Sequence, residues 1–181
     1  MPKYIALLRG INVGGNNIIA MPDLKAAFIR QGFQNVTTYI NSGNIIFDSE
    51  MIDEVAVKTD CEALILANFS LDITVCVISA ADLLEALANA PDWWNNSPDC
   101  KHNAIFVIPP MTAADICVQV GDVKPEYEKV AYHGRVIFWS APIKTFSRTR
   151  WSKIVQSKTA YHHITIRNAN TALKLAKMVG G

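Results

Sequence analysis

The sequence predicts an α+β protein built from two tandem βαββα-type units. Three observations carry that reading. Strand-length apolar runs and amphipathic helical stretches follow one another in the same order twice. Turn signals, Asn41-Ser42-Gly43-Asn44 in the first half and His133-Gly134 in the second, sit at matching places between two strands. Half of the 181 residues are apolar, enough to bury one good core or two small ones and too many for a disordered chain.

Taken in order, Lys3–Val13 is a nearly unbroken apolar run ending in Gly14-Gly15, which reads as a buried strand entering a loop. Met21-Pro22-Asp23 opens a helix whose Leu24, Ala27 and Phe28 share one face, and Gly32 closes it. Asn35–Ile40 and Ile45–Phe47 are strands joined by the Asn-Ser-Gly-Asn turn. Asp53 to about Asn68 is helical, with Val57, Cys61, Leu64 and Ile65 on one side, and Leu71–Ser79 is a β-branched strand. The order β-α-β-β-α-β is that of the ferredoxin-like split βαβ, here spanning residues 1–79.

The second unit, residues 80–181, begins with a helix from Ala81 to Ala88 and an irregular stretch, Asn89 to His102, broken by Pro91 and Pro98. Asn103–Ile108 is a strand and Thr112–Val120 a helix capped by Thr112. Glu128–Tyr132 and Val136–Trp139 are strands, a helix is expected near Thr149–Gln156, and a last helix runs from Ile166 to Val179 with Thr165 as its cap. So read, the second ferredoxin-like subdomain lacks an evident last strand. The halves share element order but no residue-level repeat.

The apolar run Tyr4–Leu8 is too short for a signal-peptide core and is broken by Arg9, and no stretch approaches the ~20 apolar residues of a membrane span. Cys61, Cys76, Cys100 and Cys117 form no C-x-x-C pair and read as reduced structural thiols. The expectation is a cytoplasmic protein without a membrane segment. The net charge of +1 conceals an asymmetry. Residues 1–123 carry six basic and 14 acidic side chains, net −8; residues 124–181 carry 11 and two, net +9. Such a split points to an anionic partner or to the basic tail packing against the acidic part of its own chain.

Topology brings two motifs together. In a split βαβ sheet the first two strands are parallel with the third between them, so the loop leaving strand one and the turn between strands two and three lie at one end. These are Arg9 to Asn17, including Asn12, Gly14 and Gly15, and the turn with Asn41, Ser42 and Asn44. Glycines let backbone N–H groups approach a ligand, and Asn amides donate and accept. The loop matches neither G-x-x-x-x-G-K-[ST] nor G-x-G-x-x-G, and its residues equally suit tight turns, with Arg9 pairing a nearby acid. Arg167 and Asn168, expected in the first turn of the last helix, form a second candidate anion site, with capping and packing as the alternative.

Three stretches, YIALLRGINVGGNN with the following M-x-x-L, TYINSGNIIF, and ITIRNANTALKLAKM, together resemble the bacterial domain-of-unknown-function family 1697 over nearly the whole chain. The resemblance implies a two-subdomain fold with ferredoxin-like parts and no established activity, substrate or cofactor. Family members often carry a basic residue near Asn16–Ile18. None stands there in this chain, which argues against phosphate at that loop.

Lys144, Arg148, Arg150, Lys153, Lys158 and Arg167 are interleaved with Phe146, Trp151 and Tyr161, a pattern that can hold phosphates and stack bases or simply form a solvated face. The signature of RNA-recognition modules is missing. Adjacent His162 and His163 point in different directions and do not read as a metal site; no G-x-S-x-G is present, and no motif places a base beside a Cys or Ser. Trp93-Trp94 is expected to pack at the subdomain junction. The function expected is therefore a non-catalytic binding module for an anionic ligand, RNA or a nucleotide-like metabolite, at the subdomain junction. The alternatives are a small-molecule enzyme using the Asn/Gly-rich loops and a protein–protein adaptor. No cofactor or metal is expected, and the chain is expected to be a monomer or homodimer.

Overall fold

A computed structural model describes residues Met1–Gly180, which form two compact units, Met1–Ala81 with Val179 and Gly180, and Asp82–Met178. Each contains a four-stranded antiparallel sheet, so the chain is α+β.

In the first unit, β1 (Lys3–Leu8), α1 (Met21–Arg30), β2 (Gln34–Tyr39), β3 (Asn44–Asp48), α2 (Glu54–Phe69) and β4 (Val75–Ser79) give the sheet order β2-β3-β1-β4. Because β3 is antiparallel to both β1 and β2, those two strands are parallel to one another. Alternation along β1 and β3 sends Tyr4, Ala6, Leu8, Ile45 and Phe47 to the face covered by Leu24, Phe28, Val57, Leu64 and Ile65 of the helices. Phe28, Phe33 and Phe47 meet there with ring centroids 4.5–5.5 Å apart. Asp53 caps α2, its carboxylate accepting from Val55 N at 3.0 Å.

From Ala80 the chain runs through α3 (Ala80–Ala88), β5 (Cys100–Val107), α4 (Ala113–Val120), β6 (Lys129–His133), β7 (Val136–Pro142), two 3-10 segments (Ile143–Arg148 and Trp151–Gln156), the short α5 (Lys158–Tyr161), β8 (Ile164–Asn168) and α6 (Ala169–Gly180), all in the second unit but for Ala80, Ala81, Val179 and Gly180 at the outer ends of α3 and α6. The sheet order β6-β7-β5-β8 repeats that of the first unit. The core holds Ile105, Val107, Ile116, Ile137, Trp139, Trp151, Ile154 and Ile164. Thr112 caps α4 in a reciprocal capping box with Asp115, and those hydrogen bonds hold the Asp115 carboxyl below its usual range.

Two expectations are corrected. The second sheet does have its last strand: Ile164–Asn168 pairs antiparallel with β5, Ile166 opposite Ile105. The strand alternates, Ile164 and Ile166 turned to the core and Thr165 and Arg167 away from it, and only then does α6 begin. With no Gly or Pro separating the strand from the helix, sequence periodicity merged them, and Thr165 is a strand residue rather than a cap. The helix expected near Thr149–Gln156 is a run of 3-10 turns instead.

That run is anchored by Glu128. The residue is 3% exposed, and its carboxylate accepts from Lys124 N at 3.1 Å, Arg150 N at 2.6 Å and Trp151 N at 3.1 Å. One side chain thus satisfies N–H groups of the loop before β6 and of the second 3-10 segment, which have no regular backbone partner. Glu128→Gln puts amide hydrogens against these donors; we expect a loss of about 2–3 kcal/mol in urea unfolding, the worth of a buried hydrogen bond to charge. Gly43, at φ 86°, is a second rigid point, since an added Cβ would stand 2.8 Å from both Ile11 Cδ1 and Leu8 Cβ. We expect Gly43→Ala to cost about 1–3 kcal/mol by the same measurement, from backbone strain and overpacking.

Candidate ligand-binding cleft

The two first-unit loops do meet. Leu8 N donates to Gly43 O at 2.9 Å, and Asn12 Nδ2 to Asn41 O at 2.8 Å. The meeting uses up the polar groups, however. Asn12, in the left-handed region at φ 55°, gives its other amide hydrogen to Ile19 O at 2.9 Å and accepts from Ile19 N at 2.8 Å. Asn44 is fully buried and donates to Tyr39 O and Ser42 Oγ, both at 2.9 Å. Arg9 donates to Thr74 Oγ1 at 3.2 Å. Gly14 and Gly15 are exposed at positive φ. A depression of about 370 Å³ lies here, lined by Asn12, Gly15, Ile18, Ile19, Ala20 and Asn41, with no cation among its walls. These Asn residues act mainly as struts between loops.

The C-terminal candidates belong to the second unit and lie on β8 rather than in a helix. Arg167 is buried, its Nη1 donating to Thr165 Oγ1 at 3.1 Å and Ile166 O at 3.0 Å. Asn168 ends the strand and its side chain accepts from Thr171 N at 2.8 Å, capping α6.

Beside that cap the second unit carries two cavities that share Ser97, Cys100 and His102. The first, about 360 Å³, is polar, walled by Asn95, Lys101, Asn103, Asn168 and Asn170. Lys101 Nζ rests 4.4 Å from the Phe146 ring centroid, a cation–π contact that limits its wandering. The second cavity, about 320 Å³, is more apolar, with Trp93, Pro125, Tyr127 and Pro142 among its walls. Arg148 lies over the Tyr127 ring at 5.9 Å. The partition between the cavities rests on His102. Its Nδ1 stands 3.0 Å from Asn95 N and 2.6 Å from Ser140 Oγ, and its Nε2 stands 2.7 Å from Ser97 O. Trp94 pins the same irregular segment from below, donating to Asn103 O at 2.9 Å with its ring edge-on to Phe138.

Of the site residues expected from the sequence, Asn168 lines this cleft, but nothing in the sequence pointed to its other walls or to the Ser140–His102 contact. The two residues are 38 positions apart and meet only because β5 and β7 pair with His102 opposite Ser140, a register no motif announces. The basic, aromatic-interleaved segment divides. Lys144, Arg148, Arg150, Lys153 and Lys158 are exposed and make no ion pair among the described residues, whereas Trp151 is 1% exposed and Phe146 packs on Trp139 at 5.0 Å. Trp151 is a core residue, and Phe146 and Tyr161 pack against the same core while staying partly exposed. Trp94 is likewise buried, while Trp93 is half-exposed in the cleft wall. Burial pushes the thiols of Cys61 and Cys117 up, so neither is a ready thiolate. Among the described residues no group of three His, Cys, Asp or Glu is arranged to hold a metal ion, and no helix is long and apolar enough to cross a membrane.

A solved structure described as that of the conserved bacterial protein SP0830 from Streptococcus pneumoniae superposes with a TM-score of 0.85 at 29% identity, covering 98% of each chain. No curated protein matches the sequence. A family model described as "Protein of unknown function (DUF1697)" matches residues 1–138, and the chain belongs to that family.

Proposed function

We propose that the protein is a binding module for a small anionic, ring-bearing ligand of the nucleotide type, held in the double cavity of the second unit. The single observation that carries this reading is the junction of a polar cavity containing Lys101 with an aromatic-walled one at Ser97, Cys100 and His102. A phosphate or carboxylate suits the first. Lys101, swung away from its rest over Phe146, would supply charge, the surrounding Asn residues supply amides, and the first N–H groups of the 12-residue α6 lack intrahelical acceptors. A planar ring suits the second, whose walls include Trp93 and Tyr127. The burial of Trp151 favours a small ligand over RNA, because it removes one of the surfaces on which bases would stack.

The repeated strand orders β2-β3-β1-β4 and β6-β7-β5-β8 support assigning both units to the ferredoxin-like class, a scaffold that by itself fixes no function. Free cysteines throughout fit a reducing, cytoplasmic setting.

Calorimetric titration with adenosine monophosphate, adenosine and inorganic phosphate tests the reading. The nucleotide should bind tighter than either fragment, and added salt should weaken it. Lys101→Ala should weaken the nucleotide about tenfold or more, the worth of a hydrogen bond to charge, and leave adenosine unaffected. Trp93→Ala should weaken nucleotide and adenosine alike, by roughly five- to 100-fold for one lost stacking contact. Equal affinity for nucleotide and adenosine removes the anion element of the proposal. Nucleotide affinity untouched by both substitutions places the site elsewhere. Tight oligonucleotide binding that neither substitution alters would return RNA, on the exposed Lys144–Lys158 face, as the better reading.

A further inference from the structure

We propose that Ser140 and His102 form a nucleophile–base pair that takes an acyl group from an activated ester entering the apolar cavity. Ser140 on β7 lies directly opposite His102 on β5, and its Oγ is 2.6 Å from Nδ1. The partners of the ring assign its tautomer. Ser97 O can only accept, so the 2.7 Å contact requires the hydrogen on Nε2; the approach of Ser97 N to the same nitrogen, 3.4 Å, is too long to compete. Asn95 N can only donate, so Nδ1 carries the lone pair, facing the serine hydroxyl. Nucleophile, base and orienting acceptor therefore stand in series, and they do so at a cavity: both side chains line the 320 Å³ space walled by Trp93, Pro125, Tyr127 and Pro142. Ser140 is 6% exposed, so a reactant reaches it only from within that space.

The step balances without any further reactant than water. As Ser140 Oγ attacks the ester carbonyl carbon, its proton passes to His102 Nδ1. The ester C–O bond then breaks, the leaving alkoxide takes that proton from His102, and an acyl-serine remains. Water, deprotonated by the same nitrogen, later cleaves the acyl-serine to the carboxylic acid and restores the hydroxyl. The Asn95 N–H at 3.0 Å shares the Nδ1 lone pair with the hydroxyl, and the activated esters concerned are those with good leaving groups, such as aryl esters. The inference goes beyond ligand binding and does not require the ligand to be anionic.

The test incubates the full chain with p-nitrophenyl acetate and follows nitrophenolate release and intact mass, with peptide mapping of the product. We expect a stoichiometric burst and one acetyl group on Ser140. Ser140→Ala should remove the burst, and His102→Gln should slow it roughly 10²–10⁴-fold, the usual share of general-base catalysis. Circular dichroism checks that both variants fold. Should either fail to fold, the location of the acetyl group on the unaltered protein still decides. Acetyl on Cys100 or on lysines, an unchanged rate in a folded His102→Gln protein, or no burst at all overturns the proposal. Failure here leaves nucleotide titration untouched, and an absence of nucleotide binding leaves this burst untouched.

Discussion

The register of β5 between β7 and β8 is the constraint on which the second unit depends. Ile105 faces Ile137 on one side and Ile166 on the other, and the alternation from there sends Val107 and Ile164 into the core with Trp139. A slip by one residue would turn this whole set to the opposite face, at a cost of several buried aliphatic side chains, so the register is held far more firmly than any polar contact could hold it. The same register puts His102 opposite Ser140 and Asn103 opposite Asn168. The core therefore decides which polar groups meet at the cleft, and the cleft inherits the rigidity of the sheet. The irregular segment before β5 adopts its path by docking onto what that register presents: Trp94 onto Phe138 and the Asn103 carbonyl, Asn95 and Ser97 onto His102.

Much of the fold was legible because local chemistry and topology agreed. Gly43 is needed where Leu8 and Ile11 leave no room for a Cβ, Asp53 and Thr112 cap the helices they precede, and the order of elements implied that the Arg9–Asn17 loop and the Asn41–Asn44 turn share one end of a sheet. What the residues do at that end was not legible. An Asn that holds a loop and an Asn that holds a ligand are the same letter, and only the hydrogen bonds of Asn12 and Asn44 separate the two. The last strand was missed for a different reason. Ile164 to Asn168 alternates with period two, but Ala169 follows without a break and Asn168 caps the helix with its side chain while its backbone still belongs to the strand. Two periodicities then abut, and a window long enough to detect the helix averages the strand away.

Glu128 and His102 show how differently two half-hidden polar groups can serve a fold. Glu128 has its carboxylate filled by three backbone donors, so it is committed to structure although it also borders the apolar cavity. His102 is held on both sides, but one of its partners is a side-chain hydroxyl. Nε2 is fixed by the Ser97 carbonyl, while Nδ1 is divided between Asn95 N–H and the Ser140 hydroxyl. An imidazole nitrogen has one in-plane lone pair, so two donors sharing it each make a weaker bond than either would alone. That arrangement braces the loop through backbone contacts and leaves the hydroxyl proton free to move to the ring while the backbone donor keeps it in place. The contrast is between a carboxylate held wholly by backbone donors and an imidazole that also reaches a side-chain hydroxyl, and a polar pair held at fixed separation by a sheet is what a reaction requires.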